Sequence, residues 1–245
     1  VVQRPPALLH REETIARAVA ALEEAAADGA SLVVFPETYV PGYPAYIWRL
    51  TPGKDYDLSR ELHGRLLASA VDLEADHLGP VREAAARLGV TTMIGVHELD
   101  ARFSRATLFN TLVTIGPDGD VLNRHRKLVP TNHERLVWGP GDGRGLRAIE
   151  TGLGRLGGLI CWENYMPAAR QHLHRDGVDF YVAPTADDRD IWVAAMRTFA
   201  FEAGAFVLSP VQYLRTADFP EDFPFREELA ACPEVHFTGG SVICD

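Results

Sequence analysis

Cysteine is scarce in this sequence. The three residues Cys161, Cys232 and Cys244 are widely and irregularly spaced, which gives neither a disulfide framework nor a CxxC metal pattern. The spacing suits a reducing compartment, and the expectation is a cytoplasmic protein. Clustered positive charge is missing too. At a net charge of -10 and with no basic stripe, the chain lacks the Lys and Arg clusters that displace counterions from nucleic acid or bind anionic membranes. No apolar run approaches the length that spans a bilayer, and no segment has the charged start and apolar middle of a secretion signal. Internal repeats are also absent.

What the chain does have is apolar material. At 245 residues and 47% hydrophobic it can bury a sizeable core, and one domain over residues 1–245 is expected. Both ends read as cut: Val1-Val2 looks like the inside of a strand, and Gly240 to Asp245 is a β-like run with nothing after it. The expectation is a domain lacking its C-terminal end.

Strands and helices mix along the chain. Apolar residues at Ile15, Ala18, Val19, Leu22 and Ala26 make Glu12 to Ala27 an amphipathic helix. Leu32 to Phe35 is a short buried strand ended by Pro36, with Glu37 just beyond it. Tyr39 to Lys54 is an aromatic-rich loop broken by prolines and glycines, Pro52-Gly53 among them. Ser59 to Val71 and Pro80 to Leu88 are helical, and Thr91 to Val96 is a strand. Pro117-Asp118-Gly119 joins Thr107 to Ile115 and Val121 to Arg126 as a hairpin, leaving Lys127 at the exit of its second strand. A strand pair over Gly145 to Thr151 and Arg155 to Ile160 leads to Cys161. Beyond it come a helix from Pro167 to Arg175, a strand from Phe180 to Ala183, a helix from Asp190 to Glu202 and a strand from Ala205 to Ser209. Asp218 to Pro233, with Phe219, Phe223 and Phe225, reads as a surface excursion. This order is that of a layered α/β fold.

Each candidate site residue has an ordinary reading on its own: Cys161 as a small core hydrophobe, Glu37 as a loop acid, Lys127 as a surface charge in the basic run HRK. His125, His133, His172 and His174 with Glu134 lack HExxH spacing, so no metal site and no cofactor are expected. The glycines from Gly139 to Gly143 lack a phosphate-loop ending and read as a plain turn. A papain-like dyad of Cys161 with His133 or His125 lacks the signature around the cysteine.

Taken together and in order, FPE at Phe35 to Glu37, HRKL at His125 to Leu128 and GGLICWEN at Gly157 to Asn164 resemble the nitrilase superfamily of carbon-nitrogen hydrolases. Gly42-Tyr43-Pro44, the stretch His133 to Gly139, and Val182 to Thr185 extend the resemblance over nearly the whole chain. It implies a four-layer α-β-β-α sandwich, a catalytic set of Glu37, Lys127 and Cys161, a supporting Glu134, and assembly into a homodimer or larger homo-oligomer. The helix from Pro167 to Arg175 is a candidate for pairing copies. CWEN followed by Tyr-Met-Pro resembles the nitrilase branch. Amidases and carbamoylases commonly follow the cysteine with Tyr, Phe or Arg and then Asp, and cyanide-degrading relatives often carry His at the position of Asn164.

The expected activity is therefore hydrolysis of a small organic nitrile to acid and ammonia through a thioimidate on Cys161, with the backbone N–H of Trp162 as a donor to developing charge. Trp162, Glu163 and Asn164 would decide what the thiol attacks. An amidase or carbamoylase, a cyanide-degrading enzyme, and a non-catalytic scaffold are the alternatives. Tyr43, Tyr46, Trp48 and Trp192 are the candidate pocket residues, against simple core packing.

Overall fold

The computed structural model describes residues 1–245 except Pro52, Phe225, Cys232 and Pro233, so the expectations that named those four lie outside the described residues. The continuous apolar runs become short strands covered on both faces, which is why they do not alternate with polar residues. Two main sheets result. The first has the order β1-β2-β3-β4, from Leu32–Val34, Thr91–Leu99, Leu108–Ile115 and Val121–Arg126; the β1 and β2 strands are parallel and the others antiparallel. The second has the order β11-β8-β7-β6-β5, from Val242–Cys244, Phe206–Ser209, Phe180–Val182, Gly154–Gly158 and Ile149–Thr151, with β6, β7 and β8 parallel.

Side-chain alternation then builds four layers. Val33, Phe35, Ile94 and Val113 face α1 (Arg11–Ala27) and α3 (Gly79–Leu88), meeting Ile15, Leu22, Val81 and Ala85. On the opposite face Val34, Met93 and Leu112 meet Leu156, Ile160, Val182 and Leu208 of the second sheet. The outer face of that sheet, with Leu159, Tyr181 and Val207, packs under α4 (Pro167–Arg175) and α5 (Asp190–Ala203) through Leu173, Trp192, Met196 and Phe199. The architecture is an α-β-β-α sandwich. Gly158 lets the sheets close, since a Cβ there would lie 2.7 Å from the Val182 carbonyl oxygen and 2.8 Å from Leu112. Helix α2 (Tyr56–Ala68) covers a separate apolar cluster with Leu62 and Leu66. Among the described residues no helix is long and apolar enough to cross a membrane.

Three expectations are corrected. The strand expected from Gly145 begins only at Ile149. Gly141 and Gly145 lie flat on the backbone of Arg126 and Arg124, so their segment runs along β4 and is more than a plain turn. The surface excursion instead contributes core. Phe219 and Phe223 are buried, and Phe223 packs on Tyr46 with ring centroids 5.5 Å apart. The flanking hairpin, β9 (Tyr213–Arg215) with β10 (Val235–Thr238), was not expected either; α6 (Arg226–Ala230) lies between its strands.

Gly95 in β2 fixes the seat of the Glu37 segment, because a Cβ there would run into both the Pro36 carbonyl oxygen and the Thr38 nitrogen. Gly95→Ala is expected to destabilise the protein by about 1–3 kcal/mol, read as a lower urea midpoint. An unchanged midpoint would show that the segment is not held against β2 as described.

Candidate active site

Each chemical group sits where a strand runs out. Glu37 follows β1 after Pro36, and its neighbour Thr38 turns the chain with φ of 44°. Lys127 follows β4, its N–H donating to the Asn110 carbonyl at 2.7 Å. Cys161 comes after β6 and opens a 3-10 turn, Cys161–Tyr165, with φ of 51°. That left-handed conformation costs a side-chain-bearing residue about 1–2 kcal/mol and needs support. The Cys161 N–H donates to the Pro184 carbonyl at 2.9 Å. The Asn164 amide donates to the carbonyls of Leu159 and Cys161, both at 2.8 Å, and accepts from the Tyr181 hydroxyl at 2.7 Å.

Glu163 ties this turn to the neighbouring sheet. Its carboxylate accepts from the Ile160 N–H at 2.7 Å and from the Leu128 N–H at 2.5 Å, and lies 3.0 Å from His125 Nε2. One buried side chain thus spans the residue before Cys161 and the residue after Lys127.

Lys127 Nζ donates to Glu37 Oε1 at 2.8 Å and to Glu134 Oε2 at 2.7 Å, with all three side chains buried. The two carboxylates have further donors. Asn110 donates to Glu37 Oε1 at 2.7 Å and the Ala186 N–H to Glu37 Oε2 at 3.2 Å. Tyr43 OH donates to Glu134 Oε1 at 2.8 Å, the Thr131 N–H to Oε2 at 2.7 Å, and Trp48 Nε1 to the Tyr43 oxygen at 3.2 Å. A chain of hydrogen bonds therefore runs from Trp48 through Tyr43 and Glu134 to Lys127 and Glu37.

Burial and charge act in opposite directions on these groups. Burial alone would lower Lys127, but the charges of Glu37 and Glu134 raise it, so the ammonium keeps its proton. Burial raises Glu37, and Lys127 and Asn110 offset this only in part. Burial also raises Cys161, helped by the charge of Glu37 and opposed by Lys127 and by the hydrogen bond from Thr185. Two carboxylates already face one ammonium, so a standing thiolate would be a third negative charge in the group. The resting sulfur is a thiol.

Cys161 and Glu134 reach a cavity of about 250 Å³ whose walls include Tyr43, Trp48, Trp162 and Phe237. Glu37 and Lys127 lie behind that lining. At the rim Arg189 grips Asp187 through two hydrogen bonds of 2.7 and 2.6 Å. A larger cleft, about 470 Å³ between Leu153, Phe180 and Phe206, has no cysteine, lysine or histidine among the described residues that line it.

Of the residues singled out from sequence, Glu37, Lys127 and Glu134 are in direct contact, and Cys161, Trp162, Tyr43 and Trp48 share the cavity. Tyr46 and Trp192 do not belong to it. Tyr46 packs on Phe223, and Trp192 is core beneath α5, its Nε1 donating to Ser209 Oγ at 2.8 Å. Asn164 and Glu163 are buried and hold backbone, so neither selects substrate by touching it. The histidines do not gather: His125 pairs with Glu163, His133 lies against Trp48, and His172 and His174 are on α4. Among the described residues the hydrogen-bond partner of the Cys161 sulfur is Thr185, at 3.1 Å, and not a histidine.

Asn110, Thr185 and Phe237 were missed by sequence reasoning. Asn110 had a signal, a lone amide within the apolar run LFNTLV. Thr185 follows β7, the parallel neighbour of β6, so its strand end lies beside that of Cys161. Phe237 belongs to the hairpin that was not expected.

The carbon-nitrogen hydrolase family model matches residues 1–245. The chain is 41% identical over 229 residues to nitrilase blr3397 of Bradyrhizobium diazoefficiens, covering 93% of this chain and 70% of that protein. It is 40% identical over 247 residues to an aliphatic nitrilase of Sinorhizobium fredii, covering 100% and 78%. It is 37% identical over 245 residues to the bifunctional nitrilase/nitrile hydratase NIT4A of Nicotiana tabacum, covering 100% and 68%. In fold it is similar to a carbon-nitrogen hydrolase from Helicobacter pylori G27, with a TM-score of 0.70 at 20% identity over 96% of this chain and 77% of that one. On the fold, the family match and these relatives, the chain belongs to the carbon-nitrogen hydrolase family.

Proposed function

We propose that the chain is a nitrilase that hydrolyses small organic nitriles to carboxylic acid and ammonia, with Cys161 as nucleophile, Glu37 as general base, Lys127 as electrostatic stabiliser and Glu134 as its support. The observation that carries this reading is the buried ammonium held between two carboxylates beside a cysteine that lines a cavity with Tyr43, Trp48, Trp162 and Phe237. The names of the most similar relatives support the nitrile as substrate.

On this reading the thiol proton passes to Glu37 as the sulfur adds to the nitrile carbon, one π pair of the triple bond moves to nitrogen, and nitrogen takes a proton. Lys127 and the backbone N–H of Trp162 favour the negative charge that develops during the addition. Water activated by Glu37 adds to the thioimidate, and ammonia leaves to give a thioester. A second water then releases the acid and returns the thiol. The apolar wall of Trp48, Trp162 and Phe237 suits the organic group of the nitrile. Amide release is kept as a second product because the tobacco relative is named as bifunctional.

Matched nitrile and amide pairs, aliphatic and aromatic, with ammonia, acid and amide all measured, test the substrate assignment. Acid should form faster from the nitriles; faster ammonia release from the amides would make the chain an amidase. Cys161→Ala should fold normally and turn over nothing, and activity in the folded variant would rule out the mechanism. A pH profile tests the base. Glu37 is raised above its ordinary 4.5 and must be unprotonated to act, so kcat/KM should fall with decreasing pH through a value above 4.5. An acid limb at or below the ordinary carboxylate value would contradict the role given to Glu37.

A further inference from the structure

The Cys161 sulfur has a neighbour for which the scheme above has no use. Thr185 Oγ1 lies 3.1 Å from Cys161 Sγ and accepts the Asp187 N–H at 2.9 Å. The residue is fully buried. Its backbone is clamped on both sides, the N–H donating to the Pro210 carbonyl at 3.0 Å and the carbonyl accepting the Gln212 N–H at 2.9 Å. A hydroxyl has one proton to give. With the Asp187 N–H on its oxygen, and the sulfur as the acceptor in reach, that proton points at Cys161.

We propose that Thr185 is a catalytic residue, a fixed hydroxyl donor that stabilises negative charge on Cys161 both when the thiol loses its proton and when the sulfur departs. The inference rests on Cys161 being the nucleophile. A hydrogen bond to an anionic sulfur is stronger than one to a thiol or to a sulfur bonded to carbon, so the contribution is largest at the charged stages of the reaction. Lys127 is spoken for by two carboxylates, whereas Thr185 is neutral and is already aimed.

The same bond bears on the product. In the tetrahedral species the carbon carries sulfur, nitrogen and a hydroxyl. If the C–N bond breaks, nitrogen takes a proton, leaves as ammonia, and a thioester remains. If the C–S bond breaks instead, its electron pair returns to sulfur, the hydroxyl proton passes to Glu37, and amide is released. Thr185 assists only the second exit, because only there does sulfur regain charge. The hydroxyl therefore raises the share of amide relative to acid.

The test compares Thr185→Val, which keeps the shape and removes the donor, with Thr185→Ser, which keeps the donor. Alkylation of Cys161 by iodoacetamide is followed on its own peptide by mass spectrometry across pH, alongside nitrile turnover and circular dichroism. In the valine variant the alkylation midpoint should rise by about one pH unit or more, and kcat/KM should fall on the order of ten-fold or more. The amide share should fall or stay at nil, and serine should restore the midpoint. A shifted loop without a lost donor would change alkylation at every pH and leave the midpoint in place. A folded valine variant with an unmoved midpoint, or with a larger amide share, would overturn the proposal. Alkylation needs no turnover, so failure of the nitrilase reading, seen as an active Cys161→Ala, is a separate result.

Discussion

An ammonium carried to the bottom of a protein must be matched by charge or give up its proton, and Lys127 is matched twice. Its contacts with Glu37 and Glu134 make the three side chains a single unit, since removing one member of a buried pair leaves its partner uncompensated at about 3–5 kcal/mol. The unit carries one more negative charge than positive. Burial first, and the charge of Glu37 next, push the Cys161 thiol up and favour its keeping the proton at rest, so Glu37 takes that proton as the sulfur attacks. A cysteine activated as a standing thiolate would need an electropositive site, and this one is not.

The sandwich is what holds the unit to the sulfur. Glu37 and Lys127 leave strands of the first sheet, while Cys161 and Thr185 leave adjacent strands of the second. The packing of Val34, Met93 and Leu112 against Leu156, Ile160 and Val182 sets the gap between them. Two glycines permit the close approaches, Gly95 under the Glu37 segment and Gly158 between the sheets. Glu163 then locks the register by bonding backbone on both sides of it. The strain of the Cys161 turn is borne by Asn164 and Pro184, away from the cavity.

Much of this was legible in the sequence, and the failures share a cause. Chain-local signals worked in part: apolar runs gave most strands of the two main sheets, Pro36 marked an end, and Glu37, Lys127 and Cys161 do lie just beyond strand ends. Contacts between distant segments had no local sign. Trp192 was a candidate pocket residue, yet helical phase turns it under α5 onto Ser209. The segment with Phe219 and Phe223 looked solvated because of its acids and prolines, yet its rings fold inward beneath Tyr46. Glu163 and Asn164, next to the nucleophile in sequence, bond to the backbone of its turn and do not line the cavity. Thr185 was visible only as part of a resemblance, and its hydroxyl acquires meaning from the parallel pairing of β6 and β7.

In this site Cys161 rests as a thiol next to two carboxylates and one ammonium and is deprotonated in step with attack. Thiolate absorbance in the ultraviolet, taken as the difference between the protein and its Cys161→Ala variant across a pH titration without substrate, measures this directly. Cys161 should give no thiolate signal at neutral pH and show one only on the alkaline side of an ordinary cysteine. A thiolate signal already present at neutral pH would contradict it.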